Sequence, residues 1–462
     1  MNDMHSRAGR LGRSADSERS RATAPEAFAP PGWAASRRFA RALLAAYLLL
    51  ATLPLLTALA LRTRTSDPLL YEVARAAALL AFSLLALEVV LAGRFKLADR
   101  AFGLDAVMRF HRIMGILTCS LLLAHPALLL LSTQGHIPWE WRVALGAAAL
   151  LILALGVFAT LSFRILRIDY NRWRFLHKGM ILVLILGYVH SRFIGEDLLS
   201  SRALRAYWTA LLTVGVGVFL WRNAFVPRWG RRPFCVESVS DEARDVWTIK
   251  MVPEDGRPLS YRPGQFMFLT LVRPGLRTEE HPFTISSSPG QADFITATVK
   301  QSGDYTNSIG QTRPGDRALV EGPFGRFSFV HHDAERCLFV GAGVGCTPLV
   351  SMIRFLRDTA DPRPVLFLCV NRTRADILFP HELERLPPHM KVVHVLSRPD
   401  ADWAGPKGHL DDRAIQELAG AFLPRADVFL CGPPALMEQL HRSLRRLGVR
   451  DSRIHFERFT LP

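Results

Sequence analysis

The chain has 462 residues, 49% of them hydrophobic and 21% charged, with a formal net charge of +16; this is too long for one compact domain, too apolar for a wholly soluble protein and too charged for a wholly membrane one. Six cysteines (Cys119, Cys235, Cys337, Cys346, Cys369, Cys431) include no C-x-x-C pair, which excludes a dense disulfide framework, a four-cysteine zinc site and a cysteine-held iron–sulfur cluster and fits a reducing compartment. The basic surplus raises nucleic-acid binding as a function, and the position of that charge along the chain decides the matter.

Residues 1–38 are rich in Arg, Ser, Ala and Pro and poor in large aliphatic side chains, so a disordered basic tail is expected. No cleaved signal is read at the N-terminus, because the first apolar run is long enough to stay in a bilayer. Six apolar stretches then follow, at 39–61, 69–92, 108–131, 141–161, 173–194 and 203–221, each near the roughly 20 residues that cross a bilayer as a helix. The second is the least pure, carrying Glu72, Arg75 and Glu88. Lys and Arg number eight up to Arg41, five in 94–112, five in 164–178 and four in 222–232, against two, none and three in the alternate connections 62–68, 132–140 and 191–205. The asymmetry predicts a six-helix transmembrane bundle over 39–222, both ends cytoplasmic, in a plasma (bacterial inner) membrane.

The third stretch carries His111 and His125, fourteen residues apart, and the fifth His177 and His190, thirteen apart. Ionisable residues at membrane depth are functional candidates by default. Fourteen residues span about 21 Å of helix, so two parallel helices could hold two stacked planar cofactors, each with one axial imidazole per helix: His111 with His177 on the inner side, His125 with His190 on the outer. Fourteen steps return near the starting face, whereas thirteen leave His190 about 140° from His177. A bulge or local unwinding is therefore expected in the fifth helix, at Gly179 or Gly187. The plainer alternative is that these histidines bond neighbouring helices; four in a two-by-two register favour ligands.

Beyond Trp229 the pattern changes. Short alternating runs such as Val246–Ile249 and Gln265–Leu269, separated by Pro-Gly turns, predict an antiparallel β-barrel over 230–333. From 335 to 462, buried-type strands Cys337–Val340, Val365–Val370, Val392–Leu396 and Val428–Leu430 alternate with helical stretches and predict an α/β parallel-sheet domain. Its first strand runs into Gly341-Ala342-Gly343-Val344-Gly345-Cys346-Thr347. Such glycines let backbone approach a phosphate at a helix N-terminus.

With these spacings, and with His281-Pro282-Phe283-Thr284 and Ile285-Ser286-Ser287-Ser288-Pro289, the chain resembles the ferric reductase and NADPH oxidase superfamily. That family fuses a di-haem bundle to a reductase module similar to ferredoxin-NADP reductases. The resemblance implies FAD, two b-type haems and NADPH (or NADH) as donor. It places the Thr284 hydroxyl near the flavin N5, with His281, Pro282 and Phe283 against the ring and diphosphate. It puts Gly303 and Thr306 near the pyrophosphate, with Lys300 a weaker phosphate candidate. Glu321 to Gly325 resembles the segment that closes the barrel, and a plain tight turn reads equally well. Gly341, Gly343, Gly345 and Thr347 then meet the nicotinamide nucleotide, and Cys431, Gly432 and Pro433 lie where nicotinamide meets flavin. Cys431 packs on nicotinamide C4, or is simply a buried thiol. Arg372 and Arg398, ending two strands, suit a 2'-phosphate. Glu457 and Phe459 resemble the family's terminal acidic and aromatic residues, with Phe459 shielding the flavin. Arg75 resembles an arginine near the outer haem, or pairs with a propionate.

The expectation is a multi-domain membrane protein that passes electrons from cytoplasmic NAD(P)H through FAD and two haems to an acceptor across the membrane, oxygen or a ferric chelate. Leu129 stands where animal oxidases carry a further histidine, and His136 in an outer loop could substitute. Two other readings stay open: a reductase module feeding a partner protein or quinone, and a flavin reductase on a haem-free anchor. Nucleic acid is excluded. The tail and the three basic connections hold +15 of the net charge, while residues 233–462 hold 28 basic and 28 acidic residues, so the surplus orients the chain against anionic lipid.

Overall fold

The computed structural model describes residues 33–60, 68–162, 165–166, 170–291 and 293–457. The expected tail up to residue 32 and Phe459 lie outside these. Five helices are long and apolar enough to cross a membrane. The first is Trp33–Ala60, which starts inside the stretch expected to be tail. The second is Leu69–Leu91, the third Leu104–Ser132 and the fourth Trp141–Ser162. The last, Arg202–Leu220, continues through a π-helical turn, Trp221–Phe225, into Val226–Trp229. Trp221, Phe225 and Trp229 stack in sequence along that extension, an aromatic belt of the kind that sits at headgroup level.

The fifth apolar stretch, expected to carry a bulge or local unwinding, is not one helix. It divides into Tyr170–Lys178 and Ile181–Ile194. Around the break the amides of Gly179, Met180, Leu182 and Val183 bond to Leu176, His177, Gly179 and Met180 carbonyls at 3.0–3.1 Å. These are i to i−3 bonds, which turn about 120° per residue instead of 100°. Four such steps recover about 80° of the 140° offset between His177 and His190. The irregularity falls at Gly179 as expected, but it is a tightening, not a bulge. Gly187 plays no part in it and lies against Phe82.

The charges that make the second span look impure have a structural reason. It is the central helix, with 61% of its most apolar window buried against 11–22% in the other four. Glu72, Arg75 and Glu88 therefore face protein, where partners exist, and not lipid.

Strands β1 (Arg232–Ala243), β2 (Val246–Pro253), β3 (Phe266–Val272), β4 (Glu280–Thr284), β5 (Ile295–Lys300) and β6 (Arg317–Phe324) form one antiparallel sheet in the order β4-β3-β6-β1-β2-β5. The sheet curls, because Ser286, just past β4, donates its amide to Thr296 of β5 at 2.9 Å. Its interior is filled by Phe234, Ile249, Met251, Met267 and Leu269. A second sheet, all parallel, has the order β11-β10-β7-β8-β9. It comprises β7 (Arg336–Ala342), β8 (Val365–Asn371), β9 (Met390–Leu396), β10 (Ala426–Cys431) and β11 (Ile454–Glu457). The four strands read from sequence are present, and the edge strand β11 is additional.

Only Gly230 and Arg231 separate the end of the last span from β1. The antiparallel sheet docks under the bundle through an apolar contact of Leu104 with Phe268 and Phe324. Asp99, in the connection before the third span, accepts from the amides of both Leu104 and Gly325 at 2.9 and 3.0 Å.

Candidate functional site

The spans bring the four histidines together in the two expected pairs. The rings of His111 and His177 lie 6.1 Å apart, centroid to centroid, at 83°. A metal–imidazole bond of about 2 Å on either side of one ion puts two ring centroids about 6 Å apart. His125 and His190 are likewise close enough to interact electrostatically.

Each Nδ1 has a polar protein group beside it. His125 Nδ1 donates to the Ala74 carbonyl at 2.9 Å, and His190 Nδ1 to the Arg142 carbonyl at 2.8 Å. A carbonyl only accepts, so in both rings the proton is on Nδ1 and the lone pair on Nε2. His177 Nδ1 faces the Thr160 hydroxyl at 3.5 Å, with Trp173 stacked on its ring. His111 Nδ1 lies against the Glu88 carboxylate. Backing one ring nitrogen so that the other is presented is how proteins prepare histidine for a metal.

The fourth span makes room for this. A Cβ on Gly146 would stand 2.6 Å from His190 Nδ1, and one on Gly156 would overlap Met180 at the break in the fifth segment. Neither glycine, nor Glu88 or Thr160 as a ring partner, was singled out from sequence, because their roles exist only once four helices are assembled.

Arg75 lies beside the outer pair through its neighbour Ala74, but its guanidinium is held by Glu72 and Asp197 at 3.0 and 3.2 Å. His136 is exposed in its loop, with Nδ1 turned to the Gln134 carbonyl.

On the cytoplasmic side, β4 begins with Glu280, which sequence reading passed over. Its carboxylate is bonded to Arg94 at 2.8 Å and Arg174 at 3.2 Å, and also to Arg222 and Arg231. Burial would raise its pKa, but the four guanidinium groups outweigh burial and bring it down to about 2. Arg222 also bonds both oxygens of Glu321 at 2.8 Å. Since Arg174 is three residues from His177, this knot fixes β4 against the helix that carries an inner histidine.

The residues after Glu280 are His281-Pro282-Phe283-Thr284. His281 stacks on Tyr305 at 4.3 Å and bonds Glu279. The hydroxyls of Thr284 and Tyr305 are buried and have no hydrogen-bond partner among the described residues. Buried hydroxyls are normally satisfied, so both suit a ligand seated on this strand. Thr306 spends its hydroxyl inside its own turn, on Ser302 and Gly303, and Lys300 is exposed beside Asp376.

Thr284 pairs with Phe266, whose ring would meet a Cβ on Gly325; the Glu457 carboxyl lies 3.5 Å from the same point. Glu457 in turn pairs with Cys431 across β10 and β11. The two sheets therefore meet where Thr284, Glu457 and Cys431 lie near one another through Phe266 and Gly325. Burial, then the charges of Asp105 and Asp99, pushes the Glu457 carboxyl well above the usual range; burial, then Glu457, does the same to the Cys431 thiol. A thiol shifted upward from an already alkaline value keeps its proton at neutral pH, so Cys431 is a small apolar wall and not a thiolate.

Gly341, Gly343 and Gly345 lead from β7 into helix Thr347–Asp358. Gly343 has φ +54° and open space around it, while a Cβ on Gly345 would collide with the Cys431 carbonyl and with Gly432. Thr347 turns its hydroxyl back to the Val344 carbonyl at 2.9 Å, so the loop offers backbone, not side chain, to a ligand. Arg372 and Arg398 end β8 and β9 side by side, joined by a 2.8 Å bond from Arg398 amide to Arg372 carbonyl. Pro433 precedes helix Pro434–Arg446.

Three family descriptions match successive parts of the chain: ferric reductase like transmembrane component over 77–188, FAD-binding domain over 233–327 and oxidoreductase NAD-binding domain over 339–442. The reductase subunit of stachydrine N-demethylase from Rhizobium meliloti is 33% identical over 230 residues, 47% of this chain and 64% of that protein. The glycine betaine monooxygenase reductase subunit of Chromohalobacter salexigens is 32% identical over 234 residues, 49% of this chain and 63% of that protein. The chain thus spans less than two thirds of these curated relatives. Among solved structures, the flavohem-like FAD/NAD binding domain of a Vibrio cholerae nitric oxide dioxygenase is 25% identical, covering 49% of this chain and 98% of that one with a TM-score of 0.44. The chain is a ferric reductase-like transmembrane domain joined to an FAD- and NAD-binding reductase module, and so belongs with the ferric reductase and NADPH oxidase-like fusions.

Proposed function

We propose that the protein is a transmembrane oxidoreductase that draws electrons from cytoplasmic NAD(P)H and delivers them across the membrane to oxygen or a ferric chelate. The observation that carries this is the pairing of four histidines with every Nδ1 backed, inner His111 with His177 and outer His125 with His190. When bound, FAD takes a hydride from NAD(P)H and releases electrons singly, and haem iron carries one electron at a time. The chain's part is to position these groups. Gly341, Gly343 and Gly345 bring backbone to the nucleotide phosphates. Arg372 and Arg398 favour a 2'-phosphate, and hence NADPH. Cys431 shapes the wall against nicotinamide, the Thr284 hydroxyl bonds the flavin edge, and the Glu280 knot holds that edge beneath the inner histidines.

A reduced-minus-oxidised spectrum of the purified protein tests the reading. A b-type band with two haems per FAD is expected, and its absence refutes it. Oxygen uptake with NADPH, compared with ferric chelate reduction under argon, identifies the acceptor.

Two site predictions follow from the geometry. Gly146→Val is expected to drive His190 off the Arg142 carbonyl and halve haem content, measured as pyridine haemochrome per FAD. Thr284→Val is expected to keep FAD but to slow its reduction by NADPH about tenfold in stopped flow, the worth of roughly one hydrogen bond.

A second reading has its own support, since both relatives named above are reductase subunits of other enzymes. In that case the chain supplies a partner protein or quinone, and purified protein reduces neither oxygen nor ferric chelate until the partner is added.

A further inference from the structure

The four contacts that back the histidine rings are chemically unequal. Three are neutral: the Thr160 hydroxyl and the carbonyls of Ala74 and Arg142. The fourth, on His111, is the carboxylate of Glu88, which is 5% exposed in the middle of the bundle. Burying a carboxylate is unfavourable unless a positive charge answers it. Among the described residues His111 is the only ion-pair partner of Glu88, and its oxygens otherwise lack hydrogen bonds. The buried Tyr47 hydroxyl also lies in its field. Gly115 of the third span faces the carboxylate, where a Cβ would make an ordinary contact with Oε2 at 3.9 Å. Among the described residues the inner pair therefore has a carboxylate directly against a ring nitrogen, whereas the carboxylates near the outer pair, Glu72 and Asp197, are both held by Arg75.

We propose that Glu88 answers the charge of an oxidised inner haem and thereby makes the inner haem the more reducing of the two; this rests on the two-haem reading above. Ferric iron between two neutral imidazoles in a doubly deprotonated porphyrin has a net charge of +1, which one electron abolishes. A nearby carboxylate stabilises the charged, oxidised state. By drawing on the Nδ1 proton it also strengthens His111 as a donor to iron. Both effects lower the inner potential. Electrons arriving from the cytoplasmic face then move outward downhill, so one side chain sets the direction of flow. Glu88 acts through His111 and is a positioning residue.

Redox titration of the purified full chain, followed by absorbance, tests this. Wild-type protein is expected to titrate as two one-electron components. In Glu88→Gln, with two haems retained, the lower component is expected to rise by at least a tenfold change in its electron equilibrium, equal to 59 mV, while the upper stays in place. His125→Leu, which leaves only the inner site intact, is expected to keep the lower component. An unmoved lower component in Glu88→Gln, or a His125→Leu protein whose remaining haem titrates at the upper potential, overturns the proposal. Should Glu88→Gln lose the inner haem, Glu88→Asp and His125→Leu decide in the same way, the aspartate variant being expected to stay closer to wild type than to its upper component. Wild-type protein with no b-type band is a different result and overturns the haem reading itself.

Discussion

His177→Leu protein, reconstituted in vesicles with NADPH on one side and acceptor on the other, is expected to carry electrons across the membrane at least about 100-fold more slowly than wild type. Losing a ligand itself should exceed the 10–100-fold range typical of changes to the groups that hold a metal's ligands in place. FAD content and the rate at which NADPH reduces the flavin are expected to be unchanged. The separation is possible because His177 sits on the short helix Tyr170–Lys178, with its ring 6.1 Å from that of His111, while the nucleotide cleft lies between the two sheets. Leucine fills the space of the imidazole but offers no lone pair, so packing survives where ligation does not. A transmembrane flux at the parental rate would show that the histidines only join helices. His136→Leu serves as the control, since that residue is exposed in a loop.

Glu280→Ala is expected to uncouple the reductase module from the bundle. The substitution removes the one acceptor shared by Arg94, Arg174, Arg222 and Arg231 and leaves four cations clustered at a buried boundary. Removing one partner of a buried pair costs about 3–5 kcal/mol. Lowering the pKa of Glu280 from an ordinary 4.5 to about 2 is worth about 3 kcal/mol by linkage. The depressed value also fixes the pH dependence. The contribution is complete above about pH 4.5 and is lost as pH falls toward 2, so docking withstands mild acid and weakens below that range. Calorimetry of wild type and variant between pH 3 and 7 checks this: the two should converge at the acid end. At neutral pH the variant is expected to be cut sooner at the connector by protease, and its flavin to reduce the histidine-bound centres more slowly than wild type.

Elements with a strong local signal were legible in the sequence. The four buried strands of the parallel sheet are continuous apolar runs, and all four are found where the pattern put them. The glycine turn after β7 was legible from its place after a strand, whereas the His281 to Thr284 strand was read through the family resemblance. The pairing of His111 with His177 was read from depth in the membrane, and the 13-residue mismatch pointed to an irregularity at Gly179 or Gly187, of which only Gly179 lies at the break. What sequence could not supply was set by tertiary neighbours. Glu280 looks like any surface glutamate, and its importance comes from four arginines contributed by three separate connections. Glu88 looked like an impurity in an apolar helix, although that helix is the buried one. β11 has only four residues, mixing His and Glu with Ile and Phe, and so lacks the run of apolar residues that marks the other strands.

The two residues between the last span and β1 have a consequence for the kind of machine this is. Gly230 and Arg231, fully extended, allow roughly 7 Å of slack, and Arg231 is itself tied to Glu280. The reductase half is thus not a tethered carrier that swings between a loading and a delivery position. On the proposed reading, electron delivery would be a matter of fixed distance and driving force, expected to be insensitive to solvent viscosity, with NAD(P)H coming to a stationary module. Lengthening that connector would turn a solid-state relay into a diffusive one.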